Sequence, residues 1–509
     1  MAELGNDRRG RSGRDLVAET RPGRFRGSER SESLSTVQKY DAPLAEATTS
    51  SLEALKAYSL GEAAAREKGP VAAIPFYRRA IELDPSFALA YSSMGGFYTA
   101  ELLEFGLGAE NIQKAYALRD RVTDSERFQI TAAYYGLVTG EMEKSEQINK
   151  SWAQAYPRNF WPHVDLGYQY GWQGKYQEEV DEQLEAIRLS PDSAVAYTNL
   201  MEGYIALNRL DEAKAAYRQA LDRNLEGQFL HYDRYTIAFL EGDTEEMKRQ
   251  ADIATGKSEI AGILLGAESD TEAFYGRLEK SRALSHQALQ SALRADRKES
   301  GALEQVSSAL YEAEFGNLER ARQGVKAGLA IASTRNVQIL AALTFARTGS
   351  LASARSAAGE LQRQFPVDTL LNYYWLPVVR AYMEIHDGHH AQALKLLEVG
   401  APYDLAFPPP QFGEGGLLYP AYVRGQAYLA LQRGNEATAE FQKFVDHRTI
   451  VANSPLAALA HLGLARAYAL QGDTLKAHAA YQDFFALWKD ADPDIPILKE
   501  AKAEYAKLQ

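Results

Sequence analysis

Small and aromatic residues recur at helical spacing along this chain, and a clear example is residues 72–85, AAIPFYRRAIELDP. Ala73, Tyr77 and Ala80 stand four and three residues apart, which places them on one face of a helix. Two small residues beside an aromatic ring allow a second helix to approach closely. Pro85 ends the helix, because a residue that precedes proline disfavours helical backbone. The pattern predicts a short helix packed against a neighbour.

The same pattern returns about every 34 residues. With Ala73 at position 20, the unit begins at Ala54, and small residues recur at position 27 of later units. Glycines such as Gly174 and Gly472 stand at position 15, where a tight turn between two helices favours left-handed backbone. The units begin at or near residues 54, 88, 126, 160, 194, 228, 262, 302, 335, 374, 418 and 458.

This repeat resembles the tetratricopeptide repeat, most clearly in HVDLGYQYGWQGKYQEEVDEQLEAIRLSP and AYTNLMEGYIALNRLDEAKAAYRQAL. The sixth to eighth units are degenerate, since Tyr235 and Ser269 replace the usual glycine at position 8, but we expect helix pairs there too. The resemblance implies an all-α fold, a right-handed α-solenoid of about twelve tetratricopeptide helix pairs. It also implies a non-catalytic scaffold that binds a protein or peptide in its concave groove.

Changes in composition divide the chain into segments. The arginine-rich start has too little apolar surface to fold, and FPPPQFGEGG favours a loop. We expect a disordered basic leader at 1–32, a linker helix at 33–53, repeats at 54–406, a Pro/Gly loop at 407–417, repeats at 418–491 and a capping helix at 492–509.

Composition argues against several classes of partner. The net charge of -12 gives no broad attraction for nucleic acid, and the lack of cysteine excludes thiolate sites. No apolar run approaches the roughly 18 residues that span a bilayer, and the first residues lack the apolar region of a signal peptide. We therefore expect a cytoplasmic protein without membrane insertion or a nucleic-acid partner.

Motifs for catalysis or metal binding are missing from the sequence. Three histidines and an aspartate cluster at 385–394, but Gly388 marks a turn there and no second ligand set follows. The acidic run at 490–495 lacks the glycine and the glutamate of a calcium loop. No phosphate-binding loop, GxSxG or HExxH is present. We expect no enzyme activity, no metal and no cofactor.

A second resemblance concerns residues 33–61 and 488–509. Both segments are similar to the repeat region of large bacterial signalling proteins, especially acidobacterial ones. In those proteins a serine/threonine kinase or a winged-helix domain precedes the repeats. This resemblance implies an alternative function, in which the chain is the sensor or regulatory half of a kinase or transcriptional regulator.

The groove prediction follows from the helix-pair geometry. Positions 2, 5, 9, 12 and 13 of each first helix should face the concave side, where aromatic residues concentrate. Asp165 and Asp233 add negative charge, which favours a partner segment with apolar and basic residues. The predicted groove residues are Tyr134, Trp161, Tyr168, Trp172, Phe229, Tyr232, Trp375, Tyr382 and His386.

A carboxylate-clamp peptide is not expected to bind. Chaperone-binding relatives use Lys and Asn where this chain has Val164 and Tyr168, and Asn199 matches one clamp position alone. We further expect that replacing Trp161 and Trp172 with Ala weakens partner binding and leaves melting nearly unchanged.

Overall fold

The computed structural model describes residues 49–225, 227–255, 261–409 and 418–508. Within these ranges the chain forms 26 α-helices and no strand, so the all-α prediction is confirmed. The predicted leader at 1–32, residues 33–48 of the predicted linker and residues 410–417 of the predicted loop lie outside the described residues.

Twenty-four of the helices form twelve consecutive pairs, including the three degenerate units. A short helix, α23 (Arg448–Val451), connects the last two pairs, and α26 (Pro496–Tyr505) follows the last. The pairs are α1 (Leu52–Lys68) with α2 (Ile74–Leu83), α3 (Ala88–Ala100) with α4 (Phe105–Ala117), α5 (Asp124–Ala133) with α6 (Met142–Ala155), α7 (Trp161–Trp172) with α8 (Tyr176–Leu189), α9 (Ala194–Ala206) with α10 (Leu210–Asp222), α11 (Gln228–Glu241) with α12 (Thr244–Thr255), α13 (Ala261–Phe274) with α14 (Leu278–Arg294), α15 (Lys298–Glu314) with α16 (Leu318–Ile331), α17 (Arg335–Arg347) with α18 (Leu351–Gln364), α19 (Leu376–His386) with α20 (His390–Leu397), α21 (Tyr419–Ala430) with α22 (Gly434–Asp446), and α24 (Pro455–Leu470) with α25 (Thr474–Leu487). The chain is therefore an α-solenoid of helix pairs.

Small residues let the two helices of a pair approach closely, as the sequence predicts. Ala73, Tyr77 and Ala80 are all fully buried, and the Tyr77 hydroxyl donates to Glu62 at 2.6 Å. Burial of a large apolar side chain in such a contact stabilises the fold by roughly 1.5–3 kcal/mol, and burial of one methyl group by about 0.8 kcal/mol. These contacts confirm that the short helix predicted here packs on its neighbour.

The turns inside the pairs use left-handed backbone. Gly174 has a φ of 77° and Gly472 a φ of 72°, so the prediction of left-handed glycine turns is confirmed at both. Two other pairs make the same turn without glycine, because Asn208 and Gln432 have φ values of 57° and 56°. An L-residue in this region carries backbone strain that glycine avoids.

Exchanging the residue types at two of these turns is expected to change stability in opposite directions. Gln432→Gly should raise the free energy of unfolding by about 0.5–1 kcal/mol, because relief of strain exceeds the extra chain entropy of glycine. Gly472→Gln should lower it by about 1 kcal/mol, since a Cβ at Gly472 would meet no atom within 4 Å and backbone strain is the sole cost. Urea denaturation measures both changes, and a loss of stability in Gln432→Gly would contradict the strain argument.

Helix pairs that are far apart in sequence also touch each other. The Glu104 carboxylate accepts from the backbone N–H of Ser300 at 3.0 Å, and the Tyr176 hydroxyl donates to the Leu405 carbonyl at 2.6 Å. These bonds connect early helix pairs to later ones. The chain therefore contacts itself across the solenoid, in addition to the contacts between successive pairs.

The last helices continue this pattern. The Asn453 side-chain amide donates to the Ala267 carbonyl at 3.0 Å, and the Trp488 indole N–H donates to the Phe274 carbonyl at 2.9 Å. Both acceptors belong to α13, in the seventh pair. Residues of the last part of the chain thus contact a helix near its middle.

None of the described helices is long and apolar enough to cross a membrane.

Candidate functional site

A cavity of about 90 Å³ lies where the first helices of four consecutive pairs, α7, α9, α11 and α13, come together; we call it the inner cavity. Its apolar wall includes Tyr168, Trp172, Ile205, Phe229 and Tyr232. In the repeat these residues occupy positions 9, 13, 12, 2 and 5. Such positions share one face of a helix, so successive repeats bring them to the same side. The inner cavity therefore lies on the concave side of the helix pairs.

Residues from much later in the chain close the inner cavity. Phe407 is the first residue of the predicted loop, and Thr449 and Ile450 belong to α23; all three line the cavity. The Thr449 hydroxyl donates to the Ala206 carbonyl at 3.4 Å, which attaches α23 to the end of α9. Over this stretch the concave side is a partly covered cavity that keeps an opening to solvent.

Acidic side chains dominate the polar part of this wall. Glu179, Glu202, Asp233, Asp270 and Glu304 line the inner cavity, and its described lining includes no lysine, arginine or histidine. Carboxylates with low exposure are rare in proteins, because an ionised carboxylate is costly to remove from water. The inner cavity is therefore strongly acidic.

Four of these five carboxylates, all except that of Glu202, have very little solvent contact. Glu179 is 2% exposed and Glu304 is 7% exposed, and no described residue donates a hydrogen bond to either carboxylate or forms an ion pair with it. Gly171 and Gly266 make room for them, since a Cβ on either glycine would lie 2.8 or 2.9 Å from the nearest oxygen of Glu179 or Glu304. Glycine at these two sites thus lets each carboxylate lie against a helix backbone.

The environment makes these groups weaker acids. Burial and the neighbouring charge of Glu202 raise the pKa of Glu179 well above its usual range, and burial and Asp270 do the same to the pKa of Glu304. Burial also raises the pKa of Asp165 to about 7. Close to neutral pH, these side chains can therefore hold protons or attract a cation.

Four predicted groove residues, Tyr168, Trp172, Phe229 and Tyr232, line the inner cavity together. Trp172 is also buried in an apolar cluster with Met142 and Leu370. The expectation that Trp172 can be replaced without affecting melting is therefore wrong. Loss of a buried tryptophan side chain costs about 3–5 kcal/mol.

Three other predicted residues lie outside the lining of the inner cavity. Trp161 is 41% exposed and packs on Phe160 with ring centroids 4.7 Å apart. Tyr134 is half-buried and stacks on Tyr116 at 3.8 Å, and His386 is exposed at the end of α19. Trp161 is therefore the most exposed of the predicted tryptophan, tyrosine and phenylalanine residues.

The remaining two predicted rings are buried in the core, which corrects their placement on an exposed groove. The Trp375 indole N–H donates to the Pro409 carbonyl at 2.7 Å, and the Tyr382 hydroxyl donates to Glu314 at 3.0 Å. A π-helical turn over Leu371–Trp375 precedes α19. Trp375 and Tyr382 both belong to the large core cluster that also holds Leu310 of α15 and Tyr422 of α21, so neighbouring helices cover them.

The inner-cavity acids Glu179, Glu202 and Glu304 are absent from the sequence-based prediction. A signal for Glu179 was present, because it stands at position 20 of its unit, where Ala73 and Ala213 stand in other units. A large acidic residue at a position that usually holds a small packing residue indicates a local departure from ordinary helix packing. Glu304 lies in a degenerate unit and carries no comparable signal.

Metal binding has no support in the part of the chain that the structure describes. No group of three or more histidine, aspartate or glutamate side chains is placed there to hold a metal ion. In the histidine cluster, His389 contacts Glu384 at 2.9 Å on the exposed end of α19 and the turn that follows. That contact is an ordinary surface ion pair when the histidine is protonated.

Twelve helix pairs with a common inner face define this chain as an α-helical repeat protein. Residues 196–226, in the fifth pair, match the family model described as the tetratricopeptide repeat, so the chain carries such a repeat there. No curated protein sequence matches the chain.

Solved structures of tetratricopeptide and related proteins are similar to this chain at low identity. The Cut9–Hcn1 hetero-tetramer of the APC/C is 12% identical, with a TM-score of 0.45 over 92% of this chain and 78% of that chain. Yeast Tom70 is 15% identical, with a TM-score of 0.30 over 89% of this chain and 95% of that chain. A tetratricopeptide repeat protein from Parabacteroides merdae is 15% identical, with a TM-score of 0.27 over 60% of this chain and 98% of that chain.

Proposed function

We propose that this chain is a non-catalytic scaffold that binds a segment of a partner protein on its inner face. The observation that carries the proposal is the combination of aromatic rings and carboxylates at inward positions of consecutive repeats. Repeat proteins of this kind use their extended concave surfaces for binding. The acidic lining favours a partner segment that supplies positive charge.

The partner segment is expected to combine basic and apolar residues. Exposed aromatic side chains beside a well-packed neighbour commonly contribute most of the binding energy at protein interfaces. Trp161 meets this description, since it is 41% exposed and rests on Phe160. The net charge of -12 also speeds encounters with basic partners.

Panning the full chain against a random-peptide display library tests this function. We expect enriched peptides that contain lysine or arginine beside leucine, isoleucine or phenylalanine. Trp161→Ala should weaken binding of the best peptide by about 2 kcal/mol, or roughly thirtyfold in Kd, because the ring loses its contact area on the partner. Titration by fluorescence anisotropy measures the change.

Leu475→Ala is the matched control, since Leu475 is also a large exposed apolar residue but lies on α25, the second helix of its pair, and not at an inward position of a first helix. Its affinity for the peptide should equal that of the wild type. A peptide ending in EEVD should not bind, because its acidic end meets an acidic surface. Enrichment of acidic peptides, or no enrichment at all, would refute the proposed function.

A further inference from the structure

The inner cavity has the features of a built site for a small cation. Its described lining contains five carboxylates and no basic side chain, and it encloses about 90 Å³. A single water molecule needs only about 10–15 Å³ of such space. The cavity therefore has room for several non-hydrogen atoms beside its carboxylates.

Glu179 and Glu304 are the strongest indication of a ligand. Each is more than nine-tenths buried, each lines the inner cavity, and neither carboxylate has a hydrogen-bond or ion-pair partner among the described residues. Buried polar groups in folded proteins are normally satisfied, and buried charges are normally paired. A cation held between these side chains would supply the missing partner.

The carboxylates occur as neighbours across helices. The charge of Glu202 acts on Glu179, and the charge of Asp270 acts on Glu304. Like charges held close together in a poorly solvated space repel each other, unless a proton or another cation lies between them. A bound group that carries positive charge would reduce the repulsion between Glu179 and Glu202 and between Glu304 and Asp270.

The aromatic residues of the cavity wall indicate which class of cation fits. Tyr168, Trp172 and Tyr232 surround the same space. Aromatic faces attract ammonium groups and also accept the methylene groups attached to them. An ammonium nitrogen can donate three hydrogen bonds, which suits several separate carboxylates better than the planar fork of a guanidinium.

We propose that the inner cavity is a binding site for an alkylammonium cation, with Glu179 and Glu304 as its hydrogen-bond acceptors and Tyr168, Trp172 and Tyr232 around its methylene chain. The cation is carried either by a free small amine or by a lysine side chain of a bound segment. The lysine source rests on the proposed scaffold function, whereas the free-amine source does not.

Titration calorimetry with n-butylamine on the full chain, in a phosphate buffer, tests the proposal. We expect saturable binding of n-butylamine and none of n-butanol, which has nearly the same shape but no charge. Glu179→Gln and Glu304→Gln should each weaken binding at least tenfold, because each removes one charged acceptor. Glu178→Gln is the matched control, since Glu178 is the exposed neighbour of Glu179 on α8, and its affinity should be unchanged.

A second probe separates the two sources of the cation. Binding of Nα-acetyl-lysine methylamide in competition with n-butylamine assigns the site to a lysine side chain, while binding of n-butylamine alone assigns it to a free amine. Equal binding of n-butanol, or equal loss of affinity in Glu178→Gln and Glu179→Gln, would overturn the proposal. So would a wild-type chain that binds no amine, and this measurement does not depend on whether a variant folds.

The two experiments distinguish an error in the proposed cation site from an error in the proposed scaffold function. If peptides with basic residues are enriched but n-butylamine does not bind, the scaffold stands and the cation site is wrong. If n-butylamine binds through Glu179 and no peptide is enriched, the cation site stands and the scaffold function is wrong.

Discussion

Raising the pH from about 5 to about 8 is expected to lower the free energy of unfolding of this protein. Burial raises the pKa values of Glu101 and Asp165 to about 7, and the pKa values of Glu179 and Glu304 are raised well above the usual range. Between the ordinary carboxyl pKa and these raised values, the folded chain binds more protons than the unfolded chain. Stability must therefore fall as pH rises through that window.

The expected size of this effect is several kcal/mol. For Glu101, the difference between a folded pKa of about 7 and an unfolded pKa near 4.5 corresponds to about 3 kcal/mol when the whole window is crossed. His461 opposes the trend below about pH 6.5, because burial lowers its pKa and its neutral form favours the folded state at higher pH. The contribution of this one histidine to the pH dependence is smaller than the combined contribution of the four carboxyl groups.

Urea denaturation in phosphate buffers between about pH 5 and about pH 8 measures this dependence, and buffers without amines avoid occupying the inner cavity. A variant with both Glu179→Gln and Glu304→Gln should show a shallower fall, because two of the proton-binding groups are gone. A free energy of unfolding that rises steadily across this pH range in the wild type would contradict the raised pKa values of these carboxyl groups.

Arg347→Met is expected to be among the most destabilising single changes in the chain. Glu314 is 1% exposed, and its carboxylate accepts from Arg347 Nε at 2.9 Å and from the Tyr382 hydroxyl at 3.0 Å. Methionine fills a similar volume but leaves the buried carboxylate without its cation. Breaking a buried ion pair in this way costs about 3–5 kcal/mol.

Two further variants separate the charge from the hydrogen bond. Tyr382→Phe should cost only about 1–2 kcal/mol, because Arg347 still neutralises Glu314. Combining Arg347→Met with Glu314→Gln should recover part of the loss, since no buried charge then lacks a partner. Thermal unfolding followed by circular dichroism compares all three, and a loss in Arg347→Met no larger than that in Tyr382→Phe would refute the argument.

The helix pairs and the inward positions could be predicted from sequence because both depend on local spacing. Residues three and four apart share a helix face wherever the helix lies, so Tyr168, Trp172, Phe229 and Tyr232 could be assigned to one side without knowing the fold in detail. The same reasoning is wrong about the exposure of Trp375 and Tyr382, which are buried in a core cluster with residues of neighbouring helices. Local spacing does not show which distant helices cover a given face, so their burial could not be predicted.

The closure of the inner cavity could not be predicted either. The course of a solenoid is the sum of small rotations between successive pairs, and an error in each rotation accumulates along the chain. Phe407 and Ile450 reach the cavity only because many pairs bring them back to α9 and α11. The unusual glutamate at position 20, Glu179, was the one local indication that this part of the solenoid is built for more than packing.

The hydrogen bonds between distant helix pairs also restrict how the gene for this protein can evolve. In a linear array, duplication or deletion of one pair leaves the other contacts intact, so the copy number drifts easily. Here an extra pair between Glu104 and Ser300, or between Tyr176 and Leu405, would separate partners that now touch. It would also displace the residues that close the inner cavity. Selection should therefore hold the number of pairs between these residues constant, while single residues on the outer helices remain free to change.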